Sequence, residues 1–263
     1  MPELPEVEGF RVTVERRLVG RTVTRVRRID ELLLRGVSPS SLRARLVGCR
    51  VTKVTRHGKQ LLAFTQGRGP VLALHFGMTG HPVVDRNGDH PWDCLVVELD
   101  RGPPLRYRNA RRLGSIRLLR ADDVFDLLWA LGPDALEAPR DWFVEALSQR
   151  RAPVKTALLN QSFIAGVGNI YADEALLAAG IRGDRRGVDI APDEAAALWT
   201  ELRRILRQAV RAHHNGRDAR FPLMDLRPLA SRGVPVGCPR CGRALRSSTI
   251  GGRTAYWCPR CQR

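Results

Sequence analysis

Apolar positions along this chain keep three different rhythms in successive stretches. Near the start, Val7, Phe10, Val14 and Leu18 recur at helical spacing, which predicts a helix from about residue 5. Pro5 suits the first turn of such a helix, and Glu6 and Glu8 complement the positive end of its dipole. Residues 21–120 then change to short β-branched or apolar runs: VTRVRRI (23–29), RVTKV (50–54), KQLLAFT (59–65), PVLALHFGM (70–78), CLVVEL (94–99) and SIRLL (115–119). QGRGP, DRNGDHP and DRGPP interrupt them and are strong turn signals. Runs of this length and spacing predict an antiparallel sandwich or barrel.

From about 121 to 216 the rhythm is helical again. ADDVFDLLWALG has a cap, an apolar i/i+3/i+4 stripe and a closing glycine. PDEAAALWTELRRILRQAVRAHHNG places Leu198, Leu202, Ile205, Leu206 and Ala209 on one face, with Asn215-Gly216 as a stop. Residues 217–236 show no clear period. The chain therefore reads as a β domain, a helical domain and a small C-terminal module, with no internal repeat.

Charge adds a partner to this outline. The 263 residues are enough for one large or two modest cores. They carry a formal net charge of +17, spread from Arg11 to Arg263 rather than gathered in a tail. That predicts a folded surface for a polyanion. No basic n-region with an apolar run opens the chain, and no stretch reaches the roughly 20 apolar residues a membrane helix needs. A cytosolic protein without membrane partners is expected. The basic residues are 41 Arg against three Lys, at 53, 59 and 155. Lys differs from Arg in giving up its proton and in acting as a compact point charge, so these three positions are worth following.

Candidate chemistry is strongest at the C-terminus. Cys238-x2-Cys241, sixteen residues, then Cys258-x2-Cys261 has the spacing of a four-cysteine zinc site. Four thiolates suit one Zn²⁺ in a closed structural role, and RALRSSTIGGRTAYW between them reads as a hairpin with a Gly-Gly turn. Two disulfides would be the alternative, and they are rare in a cytosolic chain. Cys49 and Cys94 are expected to be ordinary buried thiols. Arg253, at the hairpin tip, would aim a guanidinium at whatever the ribbon touches. In QSFIAGVGNIYADEALLAAG (161–180), the run Ala165-Gly166-Val167-Gly168-Asn169 reads as a tight turn opening a helix. Such a helix start is a seat for a phosphate, or else a plain helix–turn–helix corner packed by glycines.

The opening MPELPEVE raises a third possibility. If Met1 is removed, Pro2 presents a secondary amine, and an α-amino group has a pKa of about 7.7–8.0 against about 10.4 for Lys. Part of it is neutral and nucleophilic near pH 7, and attack on a sugar aldehyde carbon gives a cationic iminium, a strong electron sink. Glu3 beside it could move the protons. By itself, a proline at position 2 is common and proves little.

Taken together, MPELPEVE, QSFIAGVGNIYADE and CPRC…GGRTAYWCPRC-Q, in this order over essentially the whole chain, resemble the formamidopyrimidine-DNA glycosylase/endonuclease VIII family of base-excision repair enzymes, and the opening is more similar to the formamidopyrimidine branch. The resemblance implies an α+β protein: an N-terminal antiparallel β-sandwich catalytic domain flanked by helices (1–130), a helix–two-turn–helix DNA-binding domain (131–220) and a zinc-finger hairpin (235–263). It implies a monomeric glycosylase and AP lyase on double-stranded DNA with damaged bases or abasic sites, one structural zinc, and a cytoplasmic place at the nucleoid. Pro2 would form the Schiff base with deoxyribose, Glu3 would donate and accept protons, and Glu6 would support them. Lys59, in RHGKQLL, would contact the lesion phosphate and assist catalysis. Met78 would fill the gap left by the flipped base, Arg111 would face the orphaned base, and Lys155, Asn169 and Arg253 would bind DNA, the last two clamping phosphates.

This chain departs from the family's pattern at two places. Leu113 stands where the family usually has Phe, and Leu can wedge but not stack. HHNGRDARFPLMDLRPLASRGVPV (213–236) lacks the Gly-Gly and hydroxyl-rich start of the family's loop over 8-oxoguanine, and its prolines remove backbone donors. Weak 8-oxoguanine excision is therefore expected, with formamidopyrimidines, oxidised pyrimidines, abasic sites or bulky alkylated purines preferred. A non-catalytic damage-binding protein on the same scaffold is the competing expectation.

Overall fold

The structure is a computed structural model that describes residues 2–215 and 217–263; Met1 and the Gly216 half of the expected helix stop lie outside the described residues. Internal packing divides the chain into two units, one ending at Ala130 and the other spanning Leu131–Arg263.

The first unit opens with helix α1 (Leu4–Leu18), which has Pro5 in its first turn and Arg16 and Arg17 in its last. The Glu6 carboxylate accepts the Glu3 N–H at 2.8 Å, so the helix start is closed by its own acidic side chain. Leu4, Val7, Val14 and Leu18 are buried along one face. Strands β1 (Val23–Ile29), β2 (Val51–His57), β3 (Gln60–Thr65), β4 (Val71–His75), β5 (His81–Val84), β6 (Asp93–Leu99), β7 (Leu105–Arg108) and β8 (Ser115–Leu119) form two four-stranded antiparallel sheets. Their orders are β1-β6-β7-β5 and β2-β3-β4-β8. Val26, Val54, Leu61, Leu74, Leu95, Phe76 and Ile116 fill one core together with Val7 and Val14 of α1. Each such side chain contributes about 1.5–3 kcal/mol on burial.

Two strands and one helix of this unit have no counterpart in the apolar pattern. β5 carries Pro82 and lies at a sheet edge, where a missing N–H is tolerated. β7 has Arg106 in its centre, only 2% exposed, and its charge is met by Asp93 at 2.7 Å, Asp89 at 3.1 Å and Asp85 at 3.2 Å. Helix α2 (Pro39–Leu46) buries only Leu42 and Leu46, and Ser38 caps it by accepting the Ser41 N–H. Helix α3 (Asp123–Trp129) lays Val124, Leu127 and Leu128 against Leu62, Val71 and Ala73 of the second sheet. It ends at Trp129, with Ala130 as its cap, before the glycine expected to close it.

The second unit holds α4 (Arg140–Ser148), α5 (Val154–Leu159), α6 (Asn169–Ala179), α7 (Pro192–His214), α8 (Pro222–Ala230) and the hairpin β9 (Arg246–Ile250) with β10 (Arg253–Trp257). α7 packs on α4 and α6, and its predicted stripe from Leu198 to Ala209 is buried. Gly251 and Gly252 join β9 to β10 with φ of 57° and 71°, a turn that only residues tolerant of left-handed backbone make well. α8 falls in the stretch without period. It contains Pro228, and its start is secured from outside: the Glu174 carboxylate of α6 accepts the Met224 N–H at 2.7 Å, and Leu223 is fully buried.

Candidate functional site

The helix start carries the first cluster. Pro2 is half-buried and Glu3, next to it, is fully buried as the residue preceding α1. Glu6 holds the Glu3 backbone, as described above. One turn further along, Glu8 accepts Arg56 Nε of β2 at 2.9 Å, a nearly buried pair that draws the β2–β3 hairpin onto the helix. Lys59 sits in the turn of that hairpin, and Arg56 also donates to the Gly58 carbonyl at 3.0 Å. His75, opposite Gln60 in the register, is held below the ordinary imidazole value by burial and by the positive charges of Lys59 and Arg117. It is therefore neutral at pH 7, and its Nδ1 accepts the Gly77 N–H. Nothing in the local sequence singles out His75; its neighbours come from strand pairing.

Met78, Arg111 and Leu113 come together on two stitched loops. Arg111 N–H donates to Thr79 Oγ1 at 3.1 Å, whose hydroxyl donates to Asn109 Oδ1 at 2.8 Å, and Arg112 N–H donates to the same Oδ1. Gly77, at φ 60°, lies so close to Leu113 that a Cβ there would come within 2.3 Å of the Leu113 carbonyl oxygen. Met78 is 40% and Leu113 52% exposed, and Arg111 is exposed as well. Two apolar side chains and a guanidinium on one stiff rim are suited to enter a base stack. Around the unit, Arg35, Arg45, Arg117 and Arg120 share a cleft of about 500 Å³ with Asp123 alone as a counter-charge among its lining residues.

In the second unit, Asn169 begins α6 directly after Gly168, which places it in the first turn, at the positive end of the helix dipole. Its side-chain amide donates to the Thr254 carbonyl of β10 at 3.2 Å. Arg253, the residue before, is exposed at the hairpin tip, and its guanidinium donates to the Gly252 carbonyl at 3.4 Å. Lys155 departs from the sequence expectation of a DNA contact. Its side chain is wholly buried, ion-paired to Asp173 at 2.6 Å and donating to the Thr254 carbonyl at 2.9 Å. A buried ammonium requires a carboxylate partner, and the adjacent acids Asp173 and Glu174, buried inside a mostly apolar helix, are the sequence signal that could have announced it.

The four cysteines form one cluster. Their Sγ atoms all lie within 4.8 Å of one another, with Cys238 3.9 Å from Cys261 and Cys241 3.5 Å from Cys258. Tetrahedral zinc with Zn–S bonds of about 2.3 Å needs sulfur separations of about 3.8 Å, so the residues fit one structural Zn²⁺. No disulfide forms. Of the two remaining thiols, Cys94 is buried and pushed up to about 11 by that burial, whereas Cys49 is only half-buried, contrary to expectation.

A sandwich with a buried carboxylate at its first helix, a helical unit with an N–H-rich helix start, a zinc hairpin and a large positive charge define a zinc-bearing enzyme that works on DNA. Comparison with known proteins gives the family. Residues 1–116 match the formamidopyrimidine-DNA glycosylase N-terminal domain, 131–220 its H2TH domain, and 238–263 the zinc finger found in FPG and IleRS. A formamidopyrimidine-DNA glycosylase of Stenotrophomonas maltophilia (strain R551-3) is 39% identical over 278 residues, covering 100% of both chains. A MutM structure in complex with DNA containing carbocyclic 8-oxo-G superposes with a TM-score of 0.87 at 26% identity, and Lactococcus lactis Fpg with abasic-site DNA superposes at 0.85 and 26%; each covers 99% of both chains. The chain belongs to the formamidopyrimidine-DNA glycosylase family, base-excision repair enzymes that join DNA glycosylase to AP lyase activity.

Proposed function

We propose that Pro2, freed by removal of Met1, is the nucleophile that removes a damaged base from duplex DNA. Its secondary amine attacks C1′ of the damaged nucleotide; the N–C1′ bond forms, the glycosidic bond breaks, and the base leaves with a proton. Opening of the sugar ring gives an iminium, which must be cationic because the amine is secondary. That charge draws electrons from the C2′–H bond, so the 3′ phosphate leaves by β-elimination, and a second elimination releases the 5′ phosphate. Glu3 supplies and takes the protons, and Glu6 keeps its backbone in place. The observation that carries this reading is Glu3 itself: a fully buried carboxylate immediately beside Pro2.

Lys59 meets the phosphate at the lesion, and Asn169 and Arg253 grip phosphates from the second unit. Met78 and Leu113 occupy the space of the extruded nucleotide, which offsets part of the unstacking cost, while Arg111 faces the base left behind. The enzyme works as a monomer on chromosomal DNA and so in the cytoplasm.

The preferred lesions are formamidopyrimidines and abasic sites, with weak excision of 8-oxoguanine. Residues 217–221 support this. They are a short non-helical run before α8 with Ala219 and Phe221 buried, and so have little chain to fold over a base. Borohydride trapping tests the chemistry: the mature protein should become covalently linked to abasic-site DNA, and an N-terminal tag that blocks Pro2 should abolish the adduct. Full trapping by the tagged protein would refute the assignment, and tight binding without any adduct would indicate a non-catalytic damage-binding protein. In a side-by-side excision panel, 8-oxoguanine opposite cytosine should be slow; if it is the fastest substrate, the lesion reading fails.

A further inference from the structure

Helix α8 lies in the segment that the sequence left without a role. One of its side chains reaches both α6 and the hairpin strand β10. Arg227 Nη1 pairs with Asp173 Oδ2 at 2.7 Å and donates to the Asn169 carbonyl at 3.4 Å. Nη2 donates to the Thr254 carbonyl at 3.4 Å, and the guanidinium lies 5.1 Å from the Tyr256 ring centroid. Asp173, 2% exposed, is shared: one oxygen takes Lys155, the other takes Arg227 and the Tyr256 N–H at 3.3 Å. The Thr254 carbonyl is shared too, accepting from Lys155, Asn169 and Arg227. Asn169 and the residue next to Arg253 therefore meet at a single oxygen; Lys155 of α5 reaches the junction from one side, and Arg227 closes it from the α8 side. α8 is itself anchored, by Glu174 at Met224 and by Leu223 packed among Leu177, Cys238 and Cys258.

We infer that Arg227 is a positioning residue for phosphate binding, one that holds Asn169 and the Thr254 backbone, and through it Arg253, in register without touching DNA. The inference rests on the phosphate roles proposed above for Asn169 and Arg253. An arginine fork is needed because one planar group must satisfy a carboxylate and two carbonyls at fixed angles, which an ammonium on a flexible stem does less well.

The test uses the full zinc-loaded chain and a duplex with a tetrahydrofuran abasic analogue, with Kd measured against salt concentration. Arg227→Met keeps the apolar stem over Tyr256 and should weaken binding about tenfold, a loss of about 1.4 kcal/mol. The slope of log K against log salt should stay at the wild-type value, because no phosphate contact is removed. Arg227→Lys should recover part of the affinity through Asp173. Asn169→Ala should also weaken binding, and combining it with Arg227→Met should add less than threefold, since both act through one junction. Zinc content of one per chain in each variant shows that the hairpin has folded. A slope reduced by about one would make Arg227 a phosphate contact, and additive losses would make it an independent one; either overturns the positioning role. Wild-type affinity of Arg227→Met alongside a weakened Asn169→Ala overturns it as well. Wild-type affinity of Asn169→Ala would instead overturn the clamp reading beneath it.

Discussion

Glu174→Gln should make the second unit more stable at neutral pH while leaving it nearly unchanged in mild acid. The Glu174 carboxyl is pushed up from an ordinary 4.5 to about 7, chiefly by burial, with the neighbouring Asp173 adding to the rise; the Met224 and Leu223 N–H groups and Arg227 pull the other way without prevailing. The folded state therefore keeps the proton that the unfolded state gives up. Stability contributed by this group is complete below pH 4.5, is lost as the pH climbs to about 7, and is constant above that. At about 1.36 kcal/mol for each pKa unit the loss totals about 3 kcal/mol, of which about 2 falls between pH 5.5 and 8. Glutamine still offers an oxygen to the Met224 N–H and carries no charge to desolvate, so it behaves at every pH as protonated Glu does. Urea unfolding with saturating zinc, followed by intrinsic tryptophan fluorescence, to which Trp142, Trp199 and Trp257 of the second unit contribute, gives the comparison. The variant's midpoint should move ahead of the wild type's by roughly 1 M between pH 5.5 and 8, for an m-value of about 2 kcal/mol per M. A gap between the two proteins that stays within about 0.5 kcal/mol across that range would refute the reasoning.

Arg253→Ala should weaken binding to all lesions about equally and lower the salt slope by about one; loss for one lesion alone, with the slope intact, would contradict a phosphate role. Chelating the zinc should unfold the ribbon and remove DNA binding, because ligand binding and folding are coupled in such sites; undiminished affinity after verified zinc loss would show that the ribbon is dispensable. Asp93→Asn should cost about 3 kcal/mol or more, since it leaves Arg106, 2% exposed, facing only the more exposed Asp85 and Asp89; a change below about 1 kcal/mol in denaturant unfolding would refute that.

Much of this protein is written in short-range patterns. The spacing of Val7, Val14 and Leu18 declares α1, six apolar runs mark six of the eight sandwich strands, the Leu198–Ala209 stripe marks α7, and four cysteines around a Gly-Gly turn declare the zinc hairpin. Each of these is a property of residues close in the chain, where backbone periodicity and turn geometry act. The elements the pattern misses owe their stability to neighbours far away in sequence. β7 exists as a strand because Asp93 and its companions neutralise Arg106, and α8 starts at Pro222 because Glu174, far earlier in the chain, receives its first N–H groups. The same holds for the candidate site. MPELPEVE names Pro2 and Glu3, and the resemblance names Asn169 and Arg253. That Lys155 is buried rather than turned to DNA, that His75 is neutral beside Lys59, and that Arg227 joins Asn169 to the hairpin depend on tertiary structure. Burial removes water as the default partner of a charge, and which distant group takes water's place is decided only when the chain has folded.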